Sequence, residues 1–180
     1  MINFDTIKRN GADRFLSQFL DTNGDESGTI NQAVNGSITP VEFKITPPAD
    51  KLYALKVFQI EISTLTAIDS ILQYGDLAPL ANGILLKVMT GSGTATVKDF
   101  SRSPIRDNAD LFFLGLNATD AGNRNDPNAA VGTVDLERFF DSPIRLDGSL
   151  GEELIVTIQD DLSGLVSQEM NVTGRLFDLS

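Results

Sequence analysis

The chain has 180 residues and carries 14 Lys and Arg against 25 Asp and Glu, a formal net charge of −11 at pH 7. This length suits one domain with its own hydrophobic core, and the acidic balance disfavours phosphate backbones and anionic lipid surfaces, so neither nucleic acid nor membrane is an expected partner. Histidine and cysteine are both absent, which excludes Ser-His and Cys-His nucleophilic catalysis, zinc sites built on these residues, and disulfides.

The N-terminal forty residues differ in pattern from the rest of the chain. Apolar residues recur at helical spacing within residues 13–20, which predicts a short amphipathic helix carrying Phe15, Leu16, Phe19 and Leu20. Glycines then interrupt a polar stretch over residues 21–37. We therefore predict a helix and an extended glycine-rich arm over residues 1–40, followed by a β-sandwich domain over residues 41–180. The arm has few apolar residues of its own, which favours docking on another subunit.

From residue 41 onwards the apolar period changes to two. Val41, Phe43 and Ile45 alternate with polar neighbours, and Pro47 ends that strand because proline lacks the amide that a ladder needs. A one-sided apolar stripe also predicts a short helix over residues 65–74. The strands predicted by the same alternation cover residues 41–46, 52–62, 84–90, 94–99, 111–116, 131–136, 154–159 and 168–177.

These strands predict an all-β fold, an antiparallel β-sandwich or jelly roll. Strand alternation also predicts which side chains face the core, namely Phe43, Ile45, Phe58, Ile60, Leu154, Val156, Ile158, Met170 and Val172. The polar stretch over residues 117–130 is long for a connection, and is either a functional loop or an exposed tip.

A candidate metal site lies in the arm, at Asp21, Asn23 and Asp25. Their side-chain oxygens fall on alternate positions, as in calcium-binding loops, where a hard cation needs several oxygens from one tight turn. Two positions depart from an EF-hand loop, since Glu26 stands where glycine is required and Gln32 where a bidentate Glu is required. The alternative is a polar glycine turn in which Asp and Asn bond to their own backbone.

Two pairs of adjacent carboxylates and three Asn-x-Ser/Thr tripeptides are weaker signals. A glycosidase needs two carboxyl groups that face each other across the scissile bond. Neither Glu152-Glu153 nor Asp160-Asp161 can supply both of them, because adjacent residues on a strand point to opposite faces. Residues 1–10 lack the apolar segment of a secretory signal, so we expect no glycosylation and interpret the tripeptides as turns and an exposed strand face. We predict no catalytic residues and no enzymatic activity.

Several short motifs together carry a resemblance to a known group. An RFL segment at residues 14–16, a glycine-rich Asn/Asp arm at 21–28 and an FKITPP strand end at 43–48 precede a strand that bears Tyr53. Later stretches at residues 104–110, 143–154 and 160–165 continue the likeness. In this order the sequence resembles a group of tailed-phage virion structural proteins.

The resemblance implies a virion structural protein, assembled in the host cytoplasm, without catalytic residues or a cofactor. It favours a capsid decoration or cement protein that stabilises the shell through its arm and sandwich surface. The partners it implies are other virion proteins, the major capsid protein first, and further copies of this chain in a homo-oligomer. The alternatives are a neck or tail component and a receptor- or carbohydrate-binding module that would use residues 117–130 and the loop around Asp25.

Overall fold

The computed structural model describes residues 14–65, 80–99, 112–113, 129–137 and 142–179. All but the first residue of the helix predicted over 65–74, most of the polar stretch over 117–130 and most of the strand over 111–116 lie outside these residues. The strands of the described part are β1 (Arg14–Phe19), β2 (Val41–Ile45), β3 (Lys51–Ser63), β4 (Ile84–Thr90), β5 (Gly93–Asp99), β6 (Phe112–Phe113), β7 (Ala129–Asp135), β8 (Ile144–Asp147), β9 (Glu153–Ile158) and β10 (Ser167–Asp178).

The described strands form two antiparallel sheets, which confirms the predicted all-β class. Sheet A has the order β1-β10-β3-β7-β6, and β8 pairs with the part of β3 that β7 leaves free. Sheet B has the order β2-β9-β4-β5. The long strand β3 is central in sheet A because its 13 residues are rich in β-branched and aromatic types.

One hydrophobic core joins the two sheets. Sheet A contributes Phe58 and Met170, and sheet B contributes Phe43 and Val156, to a single cluster of buried side chains. All nine residues that the alternation placed inward are fully buried. Two sheets that share one buried cluster pack face to face, as in a β-sandwich.

The N-terminal helix predicted over residues 13–20 is wrong, because residues 14–19 form strand β1. This strand pairs antiparallel with β10 along its whole length. Leu16, Gln18 and Leu20 are buried and alternate with Phe15, which is exposed. The spacing of Phe15, Leu16, Phe19 and Leu20 fits both a helical stripe and a strand with apolar groups on both faces. The strand forms because it pairs with the edge of β10.

The predicted arm lies on the chain's own body. Residues 20–28, here called the strap, cross from the end of β1 to sheet B, where Asp21 exchanges backbone hydrogen bonds with Lys44 and the Thr46 amide donates to Gly24. Further along, the Gln32 amide donates to the Gln168 carbonyl of β10. The arm has few apolar side chains, and backbone hydrogen bonds to the two sheets hold it in place instead.

Candidate functional site

Strand β1 presents one buried row of side chains and one exposed row. Leu16 and Gln18 face the core, whereas Phe15 points to the outer face of sheet A and is 78% exposed. An exposed aromatic ring gains free energy when another apolar surface covers it. Phe15 is therefore the starting point of the candidate site.

A groove of about 440 Å³ lies beside Phe15 on the outer face of sheet A. Arg175 stands directly opposite Phe15 in the ladder between β1 and β10. Three of the lining residues are cations and none is a carboxylate, although the chain as a whole carries a charge of −11. We call this surface the Phe15 groove, and its lining residues are Arg14, Phe15, Lys56, Val57, Thr173, Gly174 and Arg175.

A β-bulge shapes the groove. Val57 pairs with Thr173 and Leu55 with Gly174, so Lys56 is the extra residue of β3 and has no partner in the ladder. A Cβ at Gly174 would lie 2.1 Å from the carbonyl oxygen of Ala54, so the close approach of β10 to β3 requires glycine here. The bulge thus brings the ammonium-bearing side chain of Lys56 to the groove between Phe15 and the centre of the sheet.

Carboxylates outside the groove hold two of its cations in place. Arg14 donates a hydrogen bond of 2.7 Å to Asp178, and Lys56 lies 2.7 Å from Glu137. A hydrogen bond from Lys51 and the positive charges of Arg14 and Lys51 hold the pKa of Asp178 below its usual value. Exposed ion pairs of this kind contribute little stability, but they orient long side chains. The groove therefore places oriented hydrogen-bond donors beside an exposed apolar ring, and two of its three cations already have carboxylate partners in this chain.

The three residues of the predicted metal site lie in the strap, but their oxygens bond to the loop itself. The carboxylate of Asp21 is buried and accepts hydrogen bonds from the amides of Gly24 and Gly28. Asp25 accepts hydrogen bonds from the amide and hydroxyl of Ser27, and the side chain of Asn23 donates to the same hydroxyl at 2.9 Å. The metal site stays a prediction, and a calcium-dependent rise in melting temperature that Asp25→Ala abolishes would support it.

Glu26 has a separate role in the same loop. Among the non-glycine residues of the described part of the chain, Glu26 alone has a positive φ, 64°. This backbone conformation is unfavourable for a residue that has a Cβ atom. Its carboxylate accepts a hydrogen bond of 2.7 Å from the amide of Phe19, on the outer edge of β1. The turn therefore places a charged cap over one end of that edge.

The adjacent carboxylates of the sequence point to different partners. Glu153 accepts hydrogen bonds from Lys44 and Thr46, and Glu152 accepts one from the amide of Asp147. Asp160 is buried and accepts hydrogen bonds from the three successive backbone amides of residues 81–83. These contacts give the carboxylates structural roles and bring no two of them together as an acid and base.

A recurring turn explains several of the polar signals in the sequence. An Asp or Asn accepts hydrogen bonds from both the amide and the hydroxyl of a serine two residues later. The four instances are Asp25 with Ser27, Asn35 with Ser37, Asp147 with Ser149, and Asp161 with Ser163. Such turns satisfy loop amides locally, so the Asn35-Gly36-Ser37 tripeptide is a turn, as its composition indicated.

The described residues present no further centre. Within 14–65, 80–99, 112–113, 129–137 and 142–179, no three His, Cys, Asp or Glu side chains converge in a way that could hold a metal. The same part of the chain contains no helix of the length and hydropathy that a membrane crossing requires.

The sequence did not predict the Phe15 groove. Alternation along β10 places Arg175 on the outer face, but no local pattern reveals that Arg14 and Lys56 come to the same place through β1 and the bulge of β3. The one available signal was the unusual choice of Phe15 as the outward residue of an edge strand, and the helical interpretation concealed it.

Comparison with known proteins gives no family for this chain. No family model and no curated protein matches the sequence. Among solved structures, the chain is similar to a CocE/NonD family hydrolase from Staphylococcus aureus, with 11% identity and a TM-score of 0.28. The similarity covers 92% of this chain and 33% of the hydrolase chain. A likeness at this level carries no argument about fold or activity.

Proposed function

We propose that this chain is a structural protein of a tailed-phage particle, and specifically a capsid decoration protein that stabilises the shell. The sequence motifs that resemble virion proteins suggest the class, and the Phe15 groove supports a role in docking. An exposed aromatic residue between cations is a surface that gains free energy when a partner covers it. The jelly-roll connectivity and the virion location belong to this proposal.

The acidic character of the chain fits such a role in assembly. A net charge of −11 favours solubility of the free chain, while the Phe15 groove offers an exposed ring and hydrogen-bond donors to an acidic, partly apolar segment of the shell. The major capsid protein is the proposed owner of that segment. No catalytic step is part of the proposal, and the carboxylates discussed above have structural partners.

Copy number in purified particles tests this function. A decoration protein is expected at on the order of hundreds of copies per particle, following the symmetry of the shell. Quantitative mass spectrometry against a labelled standard of this chain, with the major capsid protein as the internal reference, measures that number. A value near a dozen would place the protein in the neck or tail, and its absence from purified particles would overturn the proposal.

A further inference from the structure

We propose that the outer edge of β1 pairs antiparallel with β1 of a second copy, joining two copies of sheet A into one continuous sheet. This self-association does not depend on the virion role, since it is argued from the backbone groups and the side chains of β1 itself. It assigns the partner of an edge that the described residues leave open.

The direction of the backbone groups in β1 follows from its pairing. Leu20 donates its amide to the carbonyl of Met170, so in this ladder the even-numbered residues of β1 bond to β10. The amides and carbonyls of Phe15, Ser17 and Phe19 consequently point away from the sheet. In the part of the chain that the structure describes, no strand flanks β1 on that side.

The rest of the neighbouring edges are covered. Glu26 caps the outward amide of Phe19, and Gln32 takes the place next to β10 beyond the end of β1. On the same side of sheet B, Asp21 bonds to Lys44 of the edge strand β2. Covered or charged edges are the usual protection against unwanted pairing. Among the described residues, only the stretch from Phe15 to Ser17 on this side is left without such cover.

This stretch is complementary to itself. In an antiparallel pair centred on Leu16, Phe15 faces Ser17 of the partner subunit, and each such pair exchanges two backbone hydrogen bonds. The pairing uses only odd-numbered residues, so it leaves the ladder to β10 and the Glu26 cap intact. The two Leu16 side chains both point inward and continue the apolar inner face of the joined sheet.

The side chains on the outer face also favour a second copy. Phe15 becomes a diagonal neighbour of Phe15 of the partner subunit, at a distance within reach of aromatic rings, and the small Ser17 leaves room for this contact. Antiparallel pairing also keeps the two Arg14 guanidinium groups at opposite ends of the paired stretch. Parallel pairing would place Arg14 against its own copy, which like-charge repulsion opposes.

The test is the Ser17→Pro variant. Proline removes the outward amide of Ser17, and proline is tolerated in edge strands where that amide faces solvent. We expect light scattering to give the wild type a mass of twice 19.4 kDa as its concentration rises. We expect Ser17→Pro to dimerise at least about tenfold more weakly at an unchanged melting temperature. Ser17→Ala, which keeps the amide, is the matched control and is expected to dimerise like the wild type.

Amide hydrogen exchange of the wild type decides the question independently of the variant's folding. The Ser17 amide is expected to exchange fast in the monomer and slowly in the dimer, whereas the Gln18 amide, bonded to β10, is protected in both. The proposal is overturned if the wild type stays monomeric up to about 1 mM, if a folded Ser17→Pro dimerises as tightly as the wild type, or if the Ser17 amide exchanges equally fast in both states.

Discussion

Both carboxylate oxygens of Asp160 are engaged in hydrogen bonds to the backbone of this chain. It is 9% exposed and its two oxygens receive the amides of Ala81, Asn82 and Gly83, which precede β4. Successive amides that converge in this way form a site for an anion. In the sequence, Asp160-Asp161 looks like a solvated pair, and only the fold reveals that the two residues have opposite environments.

We expect Asp160→Ala to destabilise the protein by about 2 to 5 kcal/mol, because it leaves buried amides without an acceptor. Urea unfolding measures this change. Asp161→Ala is the neighbouring control: Asp161 is exposed and bonds to Ser163 and Asn35, so its loss is expected to have a much smaller effect. Equal midpoints for the two variants would contradict the structural role of Asp160.

Glu61 is a residue whose charge opposes folding. It stands directly opposite Glu169 in the ladder between β3 and β10. Burial, and secondarily the charge of Glu169, raise the pKa of Glu61 above its usual value. A carboxyl with a raised pKa in the folded state contributes most to stability below its unfolded pKa, and this contribution is lost as the pH rises through the folded pKa.

Glu61→Gln is therefore expected to stabilise the protein at pH 7 by on the order of 0.5 kcal/mol, the scale of a like-charge pair across strands in partial contact with solvent. The advantage should be smaller at pH 4 than at pH 7, because protonation of the wild-type carboxyl weakens its repulsion by Glu169. Urea midpoints of both proteins at the two pH values measure it. Glu137→Gln, which removes the partner of Lys56, is the control and should not stabilise; an advantage of Glu61→Gln that was as large at pH 4 as at pH 7 would contradict the explanation.

At the scale of elements, β1 is the main error of the sequence prediction. Phe15, Leu16, Phe19 and Leu20 satisfy the spacing of a helix, but the buried row is Leu16, Gln18 and Leu20. A buried glutamine broke the apolar alternation; its side chain donates to the carbonyl of Gly24 in the strap. An analysis of periodicity considers hydrophobicity alone. It therefore misses a strand in which one inward residue is polar and forms its hydrogen bond with a loop, as Gln18 does.

The strand assignment makes a testable distinction between two residues that a helical stripe treats alike. Leu20→Ala removes a fully buried side chain and is expected to cost about 2 to 5 kcal/mol, whereas Phe15→Ala removes a 78% exposed one and should cost far less. Both values come from urea unfolding of dilute, monomeric protein. Similar losses in the two variants would argue against β1 as described.

Elsewhere the elements could be predicted because alternation is strong where one face of a strand is buried. The strand predicted over 84–90 agrees with β4 at both ends, and β9 and β10 agree within one residue. The bulge at Lys56 could not be predicted, since it depends on the pairing of β3 with β10 rather than on either strand. The Phe15 groove depends on that bulge, so the candidate site was beyond reach for the same reason.

At the scale of the whole molecule, residues 14–37 belong to the folded body. They contribute Leu16 and Leu20 to the core, and the strap joins the edge of sheet A to the edge of sheet B. Deleting residues 1–37 is therefore expected to lower the melting temperature sharply or to yield insoluble protein, since it exposes the edge of β10 and opens that side of the core. Thermal unfolding followed by circular dichroism measures this effect. A deletion variant that melts like the wild type would show that the sandwich closes without β1.

Because that deletion is expected to damage the fold, a surface substitution is the better way to identify the surface that attaches the protein to a particle. Phe15→Ala leaves the core intact but removes the apolar centre of the Phe15 groove, so we expect particles to incorporate fewer copies of a variant whose melting temperature is unchanged. Ile38→Ala is the matched control, because Ile38 is an apolar residue 89% exposed on the arm and outside the groove lining. Mass spectrometry of particles produced with each variant measures the copies incorporated.

Two outcomes would contradict this prediction. If Phe15→Ala and Ile38→Ala are both incorporated at the wild-type level, the groove is not the attachment surface. If both are reduced alike, attachment depends on exposed apolar area in general and the cations of the groove have no part in it.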